Sequence, residues 1–204
     1  MSSIVLITGA TSGFGRSCAT LFAEKGHRLI LNGRRKDRLE KLANELKDFF
    51  GTESFLLPID VRNQDAITTG IHRLPENWQQ IDILINNAGL AAGRDYFEEA
   101  KLDDWNEMID TNIKGFLYAS QAVSKGMANR KKGHIINIGS TAGRVVYEKG
   151  NAYCATKYAV DALNQSMRID LLRHGIKVTA INPGAAETEF SLVRFKGDQE
   201  TAAS

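Results

Sequence analysis

Tyr153 and Lys157 stand four residues apart in the stretch GNAYCATKYAVDAL, residues 150–163, whose apolar spacing predicts an amphipathic helix. One helical turn puts both side chains on the same face, where their tips can approach. A phenol titrates near 10 and is a poor acid or base at neutral pH, but a neighbouring ammonium favours the phenolate. At about 4 Å and an effective dielectric near 20 the attraction is roughly 4 kcal/mol. At about 1.4 kcal/mol per pH unit, that is enough to bring the phenol close to neutrality. The pair is a candidate neutral-pH acid/base. Alone, the same spacing also suits a surface lysine beside a half-buried tyrosine, so the rest of the chain must decide.

A second cluster lies near the amino terminus. TGATSGFG, residues 8–15, follows directly on the apolar run IVLIT and opens a helical pattern. Its glycines, Gly9, Gly13 and Gly15, permit a tight turn and close backbone approach to a pyrophosphate resting on a helix N-terminus. The choice of nucleotide is expected at the end of the second strand, where NAD binders carry an acid for the ribose 2′-hydroxyl. Here the stretch reads NGRRK, with Gly33 in that place and Arg34 and Arg35 after it. Guanidinium groups bind a 2′-phosphate through charge-assisted contacts, and two cations at a helix start oppose its dipole unless an anion joins them. The expected cofactor is NADP(H).

The elements that must hold these residues can be read from periodicity. Strand-like runs at 4–8, 28–32, 54–60, 81–86, 134–139 and 177–182 alternate with helical patterns at about 13–25, from Lys36, 63–74, 102–129 and 151–173. Continuous apolar strands between amphipathic helices imply a parallel sheet covered on both faces. The expected fold is a three-layer α/β Rossmann fold, a doubly wound parallel sheet built from two βαβαβ halves. No composition shift or low-complexity linker interrupts it, so 1–204 reads as one dinucleotide-binding and catalytic domain. From about Glu187 the periodicity fades, and 187–204 reads as a mobile lid or tail. Its segment EFSLVRFKGD sets Arg194 and Lys196 among apolar residues, an arrangement that could close over a crevice and hold a substrate carboxylate.

Bulk composition excludes several classes. The 204 residues are 43% hydrophobic and 25% charged with a formal net charge of +2, too small an excess to suggest nucleic acid or an anionic membrane as partner. No signal peptide or membrane-length apolar run is evident. Cys18 and Cys154 form no CxxC pair, and His27, His72, His134 and His174 lack ligand spacing. A cytoplasmic protein without a metal site, acting on a small molecule, is expected.

Taken together in their order, TGATSGFG, NNAG at 86–89, Asn112 within IDTN, Ser140 after HIINIG, Tyr153-x-x-x-Lys157, and PG at 183–184 with Thr188 resemble the short-chain dehydrogenase/reductase family across essentially the whole chain. Within it, GRRKDRL, NNAGLA, IGSTAG and EFSLVRFKGD look most like NADP-dependent 3-hydroxy acid dehydrogenases of the serine type. The resemblance implies that Tyr153 exchanges the proton of a carbonyl or alcohol oxygen. Ser140 would orient and polarise that group, and Lys157 would tune the phenol and hold the nicotinamide ribose. Asn112 would anchor a water that relays protons from Lys157. It also implies cofactor contacts from Thr11, Ser12 and Phe14 in the glycine loop, from Asp60 and Val61 at the adenine, and from Asn87, Ala88 and Gly89 along the ribose. Pro183, Gly184 and Thr188 would cover the nicotinamide side. A homo-oligomer, tetramer or dimer, is implied as well. The family's last helix and strand are absent from this sequence, which stops at Ser204. A 3-oxoacyl reductase and a catalytically silent nucleotide-binding sensor or scaffold are the alternative functions.

Overall fold

The computed structural model describes residues 2–184 and Arg194. Thr188, Lys196 and the remainder of the 187–204 segment lie outside the described residues.

Six strands, β1 (Ile4–Ile7), β2 (Arg28–Asn32), β3 (Ser54–Leu57), β4 (Ile81–Asn86), β5 (Gly133–Ile138) and β6 (Ile176–Ile181), form one sheet in the order β3-β2-β1-β4-β5-β6. Every pairing is parallel. Strand order therefore reverses between β1 and β4, and in such sheets the crevice outside the carboxyl ends at that point is where ligands bind. β3 stops at Leu57 rather than running to Asp60. The next residue is Pro58, which has no N–H to continue a ladder.

Six helices connect the strands: α1 (Gly13–Glu24), α2 (Lys36–Phe50), α3 (Gln64–His72), α4 (Leu102–Ile109), α5 (Phe116–Arg130) and α6 (Asn151–Leu172). Alternation along β1 shows how the two faces are covered. Val5 and Ile7 pack with Ala19 and Ala23 of α1 and Leu39, Leu42 and Leu46 of α2. Ile4 and Leu6 pack with Ile67 and Ile71 of α3 and Ala119, Val123 and Met127 of α5, with Met167 and Leu171 of α6 against the same cluster. A third, smaller cluster sits beyond the strand ends, joining Leu90, Ala91, Ala92, Met108 and Ala142 to Tyr153 and Cys154.

The helix expected over 102–129 is not continuous. Asp110–Gly115 is a π-helical turn between α4 and α5, and Asn112 lies within it. Such wide turns occur mostly at functional sites. Close packing accompanies it: a side chain at Gly115 would strike Val61, and the Asn112 amide is engaged with Leu90 from the loop after β4.

Candidate active site

The glycine loop is a cradle that only bare backbone can form. Gly9 and Gly13 adopt φ of 65° and 51°, the left-handed region that glycine enters freely. A Cβ on Gly15 would collide with the Gly9 carbonyl and the Asn87 amide. That amide donates to the Thr8 and Gly9 carbonyls, each at 3.0 Å. The Thr8 hydroxyl in turn accepts the main-chain N–H groups of Asn87 and Ala88, both at 3.0 Å. The loop and the NNAG segment are thus locked to each other at the reversal of strand order. Ser12 precedes α1 without capping it through its side chain, and Phe14 is exposed. The start of α1 keeps the orphan N–H groups that suit a phosphate.

At the end of β2, Arg34 and Arg35 are exposed. Arg35 donates to the Thr11 hydroxyl at 3.1 Å, which brings the arginine pair to the phosphate loop. Arg34 is near enough to Asp60 for its charge to favour the carboxylate. Burial alone would raise the Asp60 carboxyl, but hydrogen bonds from Arg62 and the charges of Arg62 and Arg34 together hold it below its usual range. Two cations, a glycine cradle and an ionised acid in one groove fit a 2′-phosphorylated dinucleotide. The Val61 side chain is buried against Gly115.

Tyr153 and Lys157 are both buried, on the face of α6 that meets the carboxyl end of β5. Lys157 donates from Nζ to the Ile138 carbonyl at 3.1 Å, and its Nζ lies 5.9 Å from the centre of the Tyr153 ring. A side chain at Gly143 would strike the Lys157 main chain, so this glycine lets the Ser140 loop close down on α6. The Ser140 hydroxyl accepts from the Ala142 N–H at 3.1 Å and hydrogen-bonds to the Tyr153 phenol, favouring its ionised form.

The electrostatics correct the simple expectation from spacing. Burial raises the Tyr153 phenol above its ordinary value, and neither the Ser140 hydrogen bond nor the charge of Arg194 overcomes it. Burial also pushes the Lys157 ammonium down to about 8. The lysine that was to bring the phenol near neutrality is desolvated with it, because a low dielectric penalises both charged forms.

Asn112 is buried, with both Nδ2 hydrogens and one lone pair of Oδ1 engaged. Oδ1 accepts from Leu90 N at 2.8 Å, and Nδ2 donates to Leu90 O at 2.8 Å and to the Thr156 hydroxyl at 3.0 Å. The Thr156 hydroxyl donates to the Tyr153 carbonyl at 2.8 Å. The π turn is therefore tied to α6 one turn from the tyrosine. Asn112 and Lys157 flank Gly89, where a Cβ would stand 3.2 Å from Asn112 Oδ1 and 3.7 Å from Lys157 Nζ.

A hollow beside Tyr153 is lined by Gly93, Asp104, Trp105, Met108, Asn151 and Arg194, among others. Arg194 donates from Nε to the Gly93 carbonyl at 3.1 Å and from Nη1 to the Tyr147 hydroxyl at 3.2 Å, and its carbonyl accepts from Gly93 N at 3.1 Å. Its guanidinium stands 5.9 Å from the Tyr153 ring centre. Pro183 accepts from Thr141 N at 3.0 Å through its carbonyl, which places the 183–184 turn against the Ser140 loop. Three contributors escaped the sequence reading: Thr8, Arg62 and Thr156. Thr8 and Thr156 lay inside motifs already singled out. Arg62 lay two residues beyond Asp60. Among the described residues, no group of three or more His, Cys, Asp or Glu could hold a metal ion, and no helix is long and apolar enough to cross a membrane.

Comparison with known proteins gives this geometry its lineage. The NADP-dependent 3-hydroxy acid dehydrogenase of Salmonella typhimurium is 50% identical over 200 residues, which cover 98% of this chain and 79% of that protein. Sulfoacetaldehyde reductase 2 of Chromohalobacter salexigens is 46% identical with the same coverage. The closed form of a serine dehydrogenase complexed with NADP+ superposes with a TM-score of 0.92 at 49% identity, over 98% of this chain and 79% of that one. The family model for short chain dehydrogenases matches residues 3–198. The chain belongs to the short-chain dehydrogenase family.

Proposed function

We propose that this protein is an NADP(H)-dependent oxidoreductase that interconverts the hydroxyl of a small, serine-like 3-hydroxy acid and the corresponding carbonyl. The observation that carries the reading is the convergence of Ser140, Tyr153 and Lys157 at the carboxyl end of β5, with Arg194 beside the tyrosine. The glycine loop and the start of α1 receive the pyrophosphate of NADP(H), Arg34 and Arg35 receive its 2′-phosphate, and Asp60 faces the adenine. Asn87, Ala88 and Gly89 run along the ribose, and Pro183, Gly184 and Thr188 cover the nicotinamide side. Bound there, NADP(H) supplies or accepts the hydride.

The chain's own residues handle the proton. Ser140 donates to the substrate oxygen and fixes its approach. Tyr153, kept protonated at neutral pH by burial, gives its proton to that oxygen during reduction and takes it back during oxidation. Lys157 holds the ribose and restores the tyrosine's proton through a water anchored by Asn112. Arg194, held by Gly93 and Tyr147, offers its charge to the substrate's acid group. Lys196, on the same segment, is the second cation assigned to that end, and 187–204 acts as the lid of the single domain. The two cysteines are free thiols, in keeping with a cytoplasmic protein. Exposed Leu117 on α5 and Ile169 and Leu172 on α6 suit a homo-oligomer.

Oxidation of NADPH, followed by its absorbance against a panel of small 3-oxo acids, a sulfonate aldehyde, neutral ketones and a carrier-bound 3-oxoacyl chain, tests the reading. Turnover concentrated on small anionic carbonyl compounds supports it. Preference for the carrier-bound chain makes the protein a 3-oxoacyl reductase, and NADPH binding without turnover of any carbonyl makes it a silent sensor or scaffold.

A further inference from the structure

Four buried polar side chains are strung together at the carboxyl ends of β4 and β5. Asn86 ends β4, Asn137 is the last but one residue of β5, and the two are partners in register. Strand alternation puts both on the face of Leu84 and Ile135, the one that α5 and α6 cover. Asn86 Nδ2 donates to Ser120 Oγ on α5 at 2.8 Å and to Asn137 Oδ1 at 2.9 Å. Asn137 Nδ2 donates to Asn164 Oδ1 on α6 at 2.9 Å. All four residues are buried, Asn137 completely.

The direction of every link follows from one end. The Phe116 carbonyl can only accept, and Ser120 donates to it at 2.6 Å. Ser120 must therefore accept from the Asn86 amino group, which also serves Asn137 Oδ1 and leaves the Asn137 amino group to face Asn164. Turning any one amide round would set donor against donor or acceptor against acceptor. A buried amide costs free energy unless it is bonded, and a matched apolar pair can hold a core about as well. What the amides add is position. Apolar burial is non-directional, whereas a hydrogen bond weakens steeply off its axis.

The element so positioned is α6. Tyr153, Lys157, Val160 and Asn164 are all buried and form one stripe along it. That stripe meets consecutive residues of β5 at two polar points: Lys157 Nζ at the Ile138 carbonyl and Asn164 Oδ1 at the Asn137 amide. Two such points oppose both sliding and rolling of the helix.

We infer that Asn164, through Asn137, is a positioning residue: its hydrogen bond sets the register of α6 on β5 and so holds Tyr153 and Lys157 in place at the carboxyl end of the sheet. The inference rests on the reading of Tyr153 and Lys157 as the groups that move the proton.

Three variants test it. Asn164→Leu keeps the volume and removes the acceptor, and Asn164→Ala removes the side chain. Asn164→Asp keeps an oxygen for Asn137, since burial favours the neutral, isosteric acid. Each is followed by NADPH oxidation with the carbonyl compound that the native protein turns over best, by urea unfolding, and by NMR titration of the Lys157 ammonium, assigned with Lys157→Met. Where they are fully folded, the leucine and alanine variants should lose about 10- to 100-fold in kcat, the effect of a misplacement on the order of 1 Å. Their Lys157 should titrate above its native value, as its burial loosens. Asn164→Asp should recover most of both. A lower urea midpoint with kcat and the lysine titration unchanged would make Asn164 a structural residue and overturn the inference, as would an aspartate variant no better than leucine. If the leucine variant does not fold, the alanine variant decides by the same readings. If the native protein turns over no carbonyl compound, the proposed function falls, and the lysine titration alone decides the register: a shift in Asn164→Leu upholds it and no shift removes it.

Discussion

At the scale of single residues, the proposed proton chemistry rests on one phenol in a low dielectric. Tyr153→Phe removes the proton while keeping the ring that packs with Leu90, Met108 and Ala142. Turnover should fall by about 10²- to 10⁴-fold, and fluorescence titration should show NADPH affinity nearly intact. Because burial keeps the native phenol protonated at neutral pH, carbonyl reduction should be flat across neutrality and alcohol oxidation should climb as pH rises. Steady-state profiles in both directions check this, and an oxidation rate that falls with rising pH would contradict it. At the other end of the groove, replacing Arg34 or Arg35 by alanine should cost roughly 10- to 100-fold in NADP+ affinity and little for NAD+. The residue types and their spacing were legible in the sequence, because one helical turn fixes the Tyr153–Lys157 geometry. Their electrostatics were not. Desolvation of Tyr153 and Lys157 comes from residues of α4, the Ser140 loop and β5, brought together only by the fold.

At the scale of elements, strands 28–32 and 81–86 were readable to the residue because apolar runs bounded by polar turns mark them. The interruption in 102–129 was visible only as a polar asparagine inside an apolar helix. The π turn packs against Val61 and Leu90, far away in sequence, which periodicity alone could not find. The tie from this turn to α6 passes through one hydroxyl, Thr156. Thr156→Val keeps the shape but leaves an Asn112 N–H buried without its acceptor, which costs about 1–3 kcal/mol. Urea unfolding should report that loss, and, if the π turn serves the proposed proton path rather than the nucleotide groove, kcat should drop with KM for NADPH little changed. Thr156→Ser, which keeps the hydroxyl, should recover most of both. Valine and native protein with equal stability would mean that the hydroxyl carries no such tie.

At the scale of the whole molecule, the doubly wound order of six parallel strands followed from alternation of strand and helix, and it brings a loop from residue 9 and a helix from residue 151 to one crevice. The same convergence buries a lysine, and that has a consequence for the fold as a whole. In the folded chain the Lys157 ammonium titrates near 8, whereas an unfolded lysine titrates near 10.4. Between those values the unfolded chain holds a proton that the folded chain has released, so stability rises with pH through this window. The interval corresponds to about 3 kcal/mol, an upper limit because unfolded chains stay partly compact. Above pH 10 the raised Tyr153 phenol works in the opposite sense, since the folded state then retains the proton longer. Urea midpoints of the cofactor-free protein at pH 7.5 and 9.5, for native and Lys157→Met, isolate the lysine, because exposed groups common to both cancel in the difference. The native protein should gain stability relative to the variant between the two pH values. Parallel changes in the two proteins would show that Lys157 titrates alike in folded and unfolded chains, and that its burial carries no electrostatic penalty.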